Sequence, residues 1–251
     1  MTNIEEVRTQ IRNNARGERI IVTAETFHQK WPSTSKPVLC SCSDGKKYVI
    51  KGSHNGRQLV PDHIVGRIGQ LLGAPVGEVC FSNIPDELKA VEPQLSDVGS
   101  GICHATLWLP DCTDRQGLDH MDKDYNRERF ALLQVLYSWT IASDHQLIYA
   151  KSNPFLVYSV DHGHFLNGST GWTPASLRQI SPVVLDPYFS ACGLTESAMA
   201  IAKTRLAQIT DDDIQLIASG LPDEWAVTTD DRIAITEYLV TRRDRLLNLL
   251  P

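Results

Sequence analysis

Three side chains in this sequence are of the types that phosphate chemistry requires, and their order along the chain suits it. Lys51 ends the apolar run "YVIK" and is followed by the glycine-bearing loop "GSHNGR". Asp144 follows a long apolar stretch in "ASDHQ", and Asp161 follows a strand-like run in "YSVDHG". A lysine on a strand can pair with the α- and β-phosphate oxygens of ATP. A carboxylate after a later strand can hold the metal that bridges those phosphates, and a second one on a loop can orient or deprotonate an attacking hydroxyl. Backbone amides of the loop that carries Ser53 and His54 can approach phosphate oxygens as well. Gly163 is expected to let the chain turn sharply, so that Asp161 faces a cleft. Each residue alone has a plainer reading: a strand-end lysine is usually solvated, and aspartates commonly cap turns. Their combined order is harder to obtain by chance.

The elements that must position these residues follow from local patterns. "PVLCSC" and "KYVIK" flank "SDGK", whose Asp-Gly pair signals a hairpin. "SHNGRQ" reads as a polar loop. "VPDHIVGRIGQLLG" then sets Ile64, Ile68, Leu71 and Leu72 on one helical face, with Pro61 in its first turn and Gly73 closing it. "PVGEVCFSNI" predicts a further strand, and "SDVGSGICHATLWLPD" a glycine hinge with a short apolar strand. An acidic connector, "CTDRQGLDHMDKDYNRE", leads into "RFALLQVLYSWTIA", a core helix by length and apolarity. Two strand-like pieces, "SDHQLIY" and "FLVYSV", flank the turn "AKSNP". From about residue 195 the chain reads as helical, with Asp211 to Asp213 favouring a helix start. The fold class expected is α+β, with a small β-rich N-lobe at about 20–102 and a larger, mostly helical C-lobe at about 103–251.

With 24 basic and 30 acidic residues the net charge is −6, which argues against a general nucleic-acid surface. No apolar run reaches the roughly 18 residues of a membrane span. The polar start, "MTNIEEVRTQIRNNARGERI", lacks the apolar core of a secretion signal, so a cytoplasmic location is expected. Of six cysteines only Cys40 and Cys42 are close. Without a second pair their C-x-C spacing is a weak zinc signal, and free thiols are the expectation.

The segments "DGKKYVIKGSHNG", "LVPDHIVGRIGQLLGAPVGEV", "SDHQLIY" and "VYSVDHGHFLNGSTGWTP" together resemble the bacterial HipA-like protein kinases. The "VDHGHF…WTP" string is the most specific of them, and "IASGLPDEW" with "RRDRLLNLL" adds to the likeness. The resemblance implies a bilobal protein-kinase-like fold, distantly akin to phosphatidylinositol kinases, and an enzyme that uses ATP and Mg2+. It assigns Lys51 to the ATP phosphates, Asp144 to catalysis together with the adjoining His145 and Gln146, and Asp161 to the metal. Magnesium takes oxygen ligands, so His162 is expected to fix the loop by hydrogen bonds and His164 to be buried beneath it. A transition metal on His145, His162 and His164 is the alternative.

Two positions depart from the family pattern. Many members read D-R-H-x-x-N in the catalytic segment, the asparagine serving as a second metal ligand, and here that position is Tyr149. Asn153 is a substitute only if its loop folds back. Where the family tends to carry a glutamate facing the lysine, this chain has His63 beside Asp62, and Asp62 is expected to do that work from a shifted position.

The function expected is therefore phosphorylation of a serine or threonine hydroxyl, with a protein as the expected acceptor. One rival is a non-catalytic relative that binds nucleotide or a partner. Another is a metal-dependent hydrolase or nucleotidyltransferase built on Asp144, His145, Asp161 and His162. No helix-turn-helix segment is recognisable, so an antitoxin or other regulator, implied by the likeness to toxin kinases, would be a separate protein.

Overall fold

The computed structural model describes residues 3–114, 117–179 and 181–251; Arg115 and Gln116 of the acidic connector lie outside the described residues. Its first element is α1 (Ile4–Ala15), for which the sequence expectations above have no counterpart. Ile4, Val7 and Ile11 nonetheless recur at helical spacing, and the Asn3 side chain caps the first turn by accepting from Glu5 N.

β1 (Ile21–Lys30), β2 (Val38–Cys42) and β3 (Lys47–Lys51) form a meander. Asp44-Gly45 makes the β2–β3 turn, and Val38 pairs with Ile50. A 3-10 stretch, Ser53–Gln58, stands where a loop was expected and runs into α2 (Leu59–Leu72). β4 (Val79–Asn83), α3 (Asp86–Val91) and β5 (Cys103–Leu107) follow. The five strands close into a barrel in the order β1-β2-β3-β5-β4, with β1 and β4 parallel. Strand alternation sends Val38, Cys40, Cys42, Tyr48, Ile50, Cys103 and Ala105 inward. Cys103–Leu107, expected to open the C-terminal lobe, thus completes the N-terminal barrel. The crossing to the rest of the chain falls at 108–111 rather than at 102.

All six cysteines are free. Burial pushes the Cys40 and Cys42 thiols up to about 12, so both are held as neutral, inward-facing apolar groups.

β6 (Cys112–Asp114), β7 (Leu147–Ala150) and β8 (Val157–Ser159) make a second sheet, and α4 (Asp124–Thr140) lies between the first and second of these in sequence. α4 begins inside the segment expected as a connector. Its residues Phe130 to Thr140 are all buried. The chain ends in α5 (Pro174–Arg178), α6 (Glu196–Ala207), α7 (Asp211–Ser219) and α8 (Thr229–Leu249). Thr210 and Thr228 cap α7 and α8 with reciprocal bonds to Asp213 and Asp231. The C-terminal carbonyls of α4 find their donor in buried Arg242, which reaches Trp139 O and Ser138 O, both at 2.6 Å.

α2 joins the two halves. Every one of its residues is buried, and its aliphatic side chains belong to the larger cluster formed with α4 and the C-terminal helices. Gly66 allows the barrel to press against it, since a Cβ there would meet Val79 Cγ1 at 2.5 Å. Two tryptophans brace the same junction. Trp225 Nε1 donates to Ile102 O at 2.7 Å, and its ring packs on Phe81 and His63. Trp172 Nε1 donates to Arg57 O, while the Arg57 guanidinium lies 3.8 Å over the Trp172 ring and pairs with Asp231. The stretch after Lys51 is thereby fastened to α8. No helix among the described residues is long and apolar enough to cross a membrane.

Trp225→Ala removes both a buried ring and the donor for Ile102 O. A loss of about 3–5 kcal/mol is expected, read as a lowered urea midpoint. A shift no larger than that of a surface substitution would show that the junction does not depend on this brace.

Candidate active site

Alternation along β3 points Tyr48 and Ile50 into the barrel and leaves Lys51 on the outer face, against α2. Lys51 is 7% exposed. Its Nζ donates to Asp62 Oδ2 at 2.6 Å and to Asp161 Oδ1 at 2.5 Å. The end of β3, the start of α2 and a turn 110 residues beyond Lys51 therefore meet on one ammonium group. Burial alone would push Lys51 down; Asp62 and Asp161 outweigh it and hold the lysine above its ordinary range. Burial alone would likewise raise the Asp62 carboxyl, and Lys51, with lesser help from His104 and His162, holds it low instead.

Asp62 accepts with its second oxygen as well, from His162 N at 2.7 Å. It occupies the helix position opposite the lysine, as expected of it. His63 does not join it. That ring is stacked on Phe81 at 4.4 Å and edge-on to Trp225 and His104, and burial holds it neutral, well below its usual range. The expectation that His63 stands with Asp62 at the lysine is corrected accordingly, because adjacent positions on a helix face different ways.

Ser53 and His54 are engaged with neighbouring loops. Ser53 Oγ donates to Ser100 O at 2.6 Å, and His54 bonds Ser35 O and Gly99 N. Their side chains shape the loop after Lys51 and pin it beneath the β1–β2 turn.

Asp161 itself takes the left-handed backbone conformation, with φ 60°. Aspartate tolerates this region better than most residues do. The expected turning role of Gly163 is thus corrected: the positive φ falls two residues earlier. A Cβ at Gly163 would meet Asp62 Oδ2 at 3.4 Å, an ordinary van der Waals contact, so the turn does not depend on glycine there. His162 turns inward, where its Nε2 meets Ser159 Oγ at 2.8 Å and that hydroxyl meets Tyr137 Oη at 2.5 Å. This buried chain fixes the turn, as expected. His164 is exposed, with Ser169 Oγ 3.3 Å from its Nδ1, rather than buried beneath the loop.

Asp144 is brought alongside by backbone pairing. Ser143 N donates to His164 O and Val160 N donates to Gln146 O, so 143–146 and 160–164 run side by side. Gln146 Nε2 donates to Asp144 Oδ2 at 2.8 Å, orienting the carboxylate. His145 Nε2 donates to Asp186 Oδ2 at 3.0 Å, and its ring lies 4.3 Å from that of Tyr188. Asp186 is a neighbour that no motif announces, lying 41 residues away in an irregular segment.

Tyr149 sits on β7 opposite Val157 and is buried. Its hydroxyl donates to Gly117 O and accepts from Asp119 N, both at 2.9 Å, and burial pushes it up to about 12. It braces the 117–119 loop. Asn153 offers no replacement ligand, since its side chain is exposed and accepts from the Tyr125 hydroxyl.

Among the described residues no group of three or more His, Cys, Asp or Glu is arranged to hold a metal. The three-histidine alternative is corrected on this ground: His145 is on Asp186, His162 on Ser159, and His164 faces out. The Asp161 carboxylate is a hard oxygen donor of the kind magnesium takes while keeping waters and phosphate oxygens for the rest, and at 30% exposure of its side chain it is open to such an ion.

The profile of the HipA-like kinases matches residues 24–166. A search among curated proteins finds no match. Among solved structures, the chain is similar to the Helicobacter pylori proinflammatory kinase CtkA, at 11% identity and a TM-score of 0.59, covering 92% of this chain and 96% of that one. It is also similar to the Golgi casein kinase, at 8% identity and a TM-score of 0.53, covering 98% and 76%. The latter protein with Mn and ADP bound gives 9% identity and a TM-score of 0.50. These likenesses establish a kinase-type α+β fold.

Two outcomes follow from the geometry. Tyr149→Asn should lose stability by roughly 3 kcal/mol or more through loss of a buried ring, with protease cleavage in the 117–119 loop reporting the loosened brace. Unaltered stability and cleavage would contradict the bracing role. The second concerns pH. Burial holds His104 and His162 at about 4, against 6.5 unperturbed, and holds His63 well below its ordinary range as well. All three are neutral when folded and gain protons on unfolding below pH 6.5, so stability is full above that value. It should fall as pH drops from 6.5 to about 4, by roughly 1.4 kcal/mol per unit per histidine. Urea midpoints at pH 7 and 5 measure this, and His104→Asn should flatten the slope; equal midpoints would refute it.

Proposed function

The chain belongs to the HipA-like kinase family, and from that premise we propose that it transfers the γ-phosphoryl group of ATP to a serine or threonine hydroxyl of a protein. The observation that carries this reading is the Lys51 ammonium held between Asp62 and Asp161, with Asp144 paired alongside. In this reading the barrel and the helical body are the two lobes of a kinase, and ATP enters between them.

Two of the three N–H donors of Lys51 go to Asp62 and Asp161, which leaves one for a phosphate oxygen. Asp62, bonded by both oxygens, keeps the ammonium charged and in place. The acceptor hydroxyl oxygen forms its bond to the γ-phosphorus as the bond to ADP breaks. Asp144, oriented by Gln146, takes up the hydroxyl proton. Bound Mg2+, with Asp161 among its ligands, would neutralise charge on the phosphates. The Golgi casein kinase structure with Mn and ADP supports the use of a nucleotide with a divalent ion. The protein acceptor and a separate regulator are part of the proposal and rest on the family alone.

A second reading has one observation in its favour. Tyr149 spends its hydroxyl on the 117–119 loop and gives no second metal ligand, which suits a relative that binds nucleotide without turnover.

Asp144→Asn should leave ATP binding nearly intact and cut the transfer rate about a hundredfold or more. Asp161→Asn should weaken ATP binding only when Mg2+ is present. Calorimetry and transfer of labelled γ-phosphate to mixed protein substrates read the two effects. The reverse pattern would overturn the assignment of roles, and Mg2+-dependent binding with no transfer by the wild type would favour the second reading.

A further inference from the structure

A polar cavity of about 300 Å3 opens between α1, the β2–β3 turn, α2 and β4, and none of the residues gathered at Lys51 lines it. Its floor and its rim carry opposite charge. At the floor lies Arg67, 3% exposed. Its Nη1 donates to Gln10 Oε1 at 2.8 Å, its Nε has no partner, and the guanidinium forms no ion pair among the described residues. Arginines this deeply buried are normally paired, because taking a lone charge out of water is costly. Burial draws Arg67 down to about 10, so it keeps its charge at neutral pH. Gln70 and Asn14, also buried, line the same floor. Gln70 Oε1 faces Val79 N at 3.5 Å, which leaves the amide NH2 of Gln70 free to donate. The rim is acidic: Glu6, Glu18, Asp44 and Glu78 are all exposed there, with Lys46 as the one rim cation. Lys46 lies 4.0 Å from Glu78, and neither Glu6 nor Glu18 has an ion-pair partner among the described residues.

Such a floor suits a carboxylate. A guanidinium beside a carboxamide offers several N–H donors to one planar anion, and the anion supplies the counter-charge that Arg67 lacks. A phosphate dianion fits poorly, since four carboxylates and a single lysine surround the entrance. A molecule with one carboxylate and a cationic far end matches both floor and rim. We propose that this cavity binds a free basic amino acid, its α-carboxylate on Arg67 and Gln70 and its cationic groups at Glu6 and Glu18. The volume lies at the small end of ligand pockets, as a single amino acid requires. The inference goes beyond the ATP reading and does not depend on it.

Calorimetry on the full chain tests this with L-arginine and L-lysine as probes. At least one of them should bind in the millimolar range or tighter and raise the urea midpoint, as a ligand of the folded state does. Agmatine, which is arginine without its carboxylate, should bind about tenfold more weakly than L-arginine or worse, the scale of a lost charge-assisted hydrogen bond. Arg67→Met should abolish binding. Its urea midpoint without ligand should equal or exceed that of the wild type, because an unpaired buried charge gives way to an apolar side chain. Should that variant fail to fold, the exposed pair Glu6→Gln, Glu18→Gln decides the matter: the double variant should keep its midpoint and lose about tenfold in affinity. A wild type that binds neither amino acid would overturn the site. So would agmatine binding as tightly as L-arginine, which would mark a cation resting on an acidic surface, or full affinity in the double variant.

Discussion

A single ammonium group, that of Lys51, holds three separate parts of the chain in register. It ends a barrel strand, and its partners come from the central helix and from the turn after the last strand. Charges this deeply buried are costly unless matched. Here the match is a cation with two carboxylates, and the surplus negative charge lies with Asp161, the more exposed partner at 30% of its side chain. The arrangement is electrostatically incomplete on its solvent side, where a cation and a phosphate would meet.

The packing around this group is built to keep its geometry. Asp62 is fixed because α2 is buried on every face, and Asp161 is fixed because its neighbour His162 is tied inward to Ser159 and Tyr137. The histidines nearby are neutral, so they fill space and bond hydroxyls without competing for the carboxylates. Arg57 and the two bracing tryptophans then set the distance between barrel and helices. Positioning in this molecule is mostly done by residues that never touch the reacting groups.

Much of this was legible in the sequence where local signals coincide with chemistry. The Asp-Gly hairpin, the strand ending in Lys51, the Pro61-to-Gly73 helix and the acidic start of α7 all follow from local rules. Asp62 could be placed opposite Lys51 only through the family pattern, in which a residue of the following helix faces the lysine. What was hidden depended on long-range pairing. The barrel claims Cys103–Leu107 through hydrogen bonds to β3 and β4, which no local pattern announces. His63 faces away from the lysine because its ring is held by Phe81 and Trp225, residues distant in sequence. The polar residues of α1 obscured a real apolar stripe whose partner, α7, lies at the other end of the chain.

Tyr149 does mechanical work where the family pattern has an asparagine. Its phenol is wired to two backbone groups of the 117–119 loop, and its ring fills space between that loop and the sheet. An asparagine there would be too short to reach those groups, so the loop would lose its anchor. A substitution at this position is therefore felt by the loop, and a change in the loop is felt by the sheet that carries Tyr149.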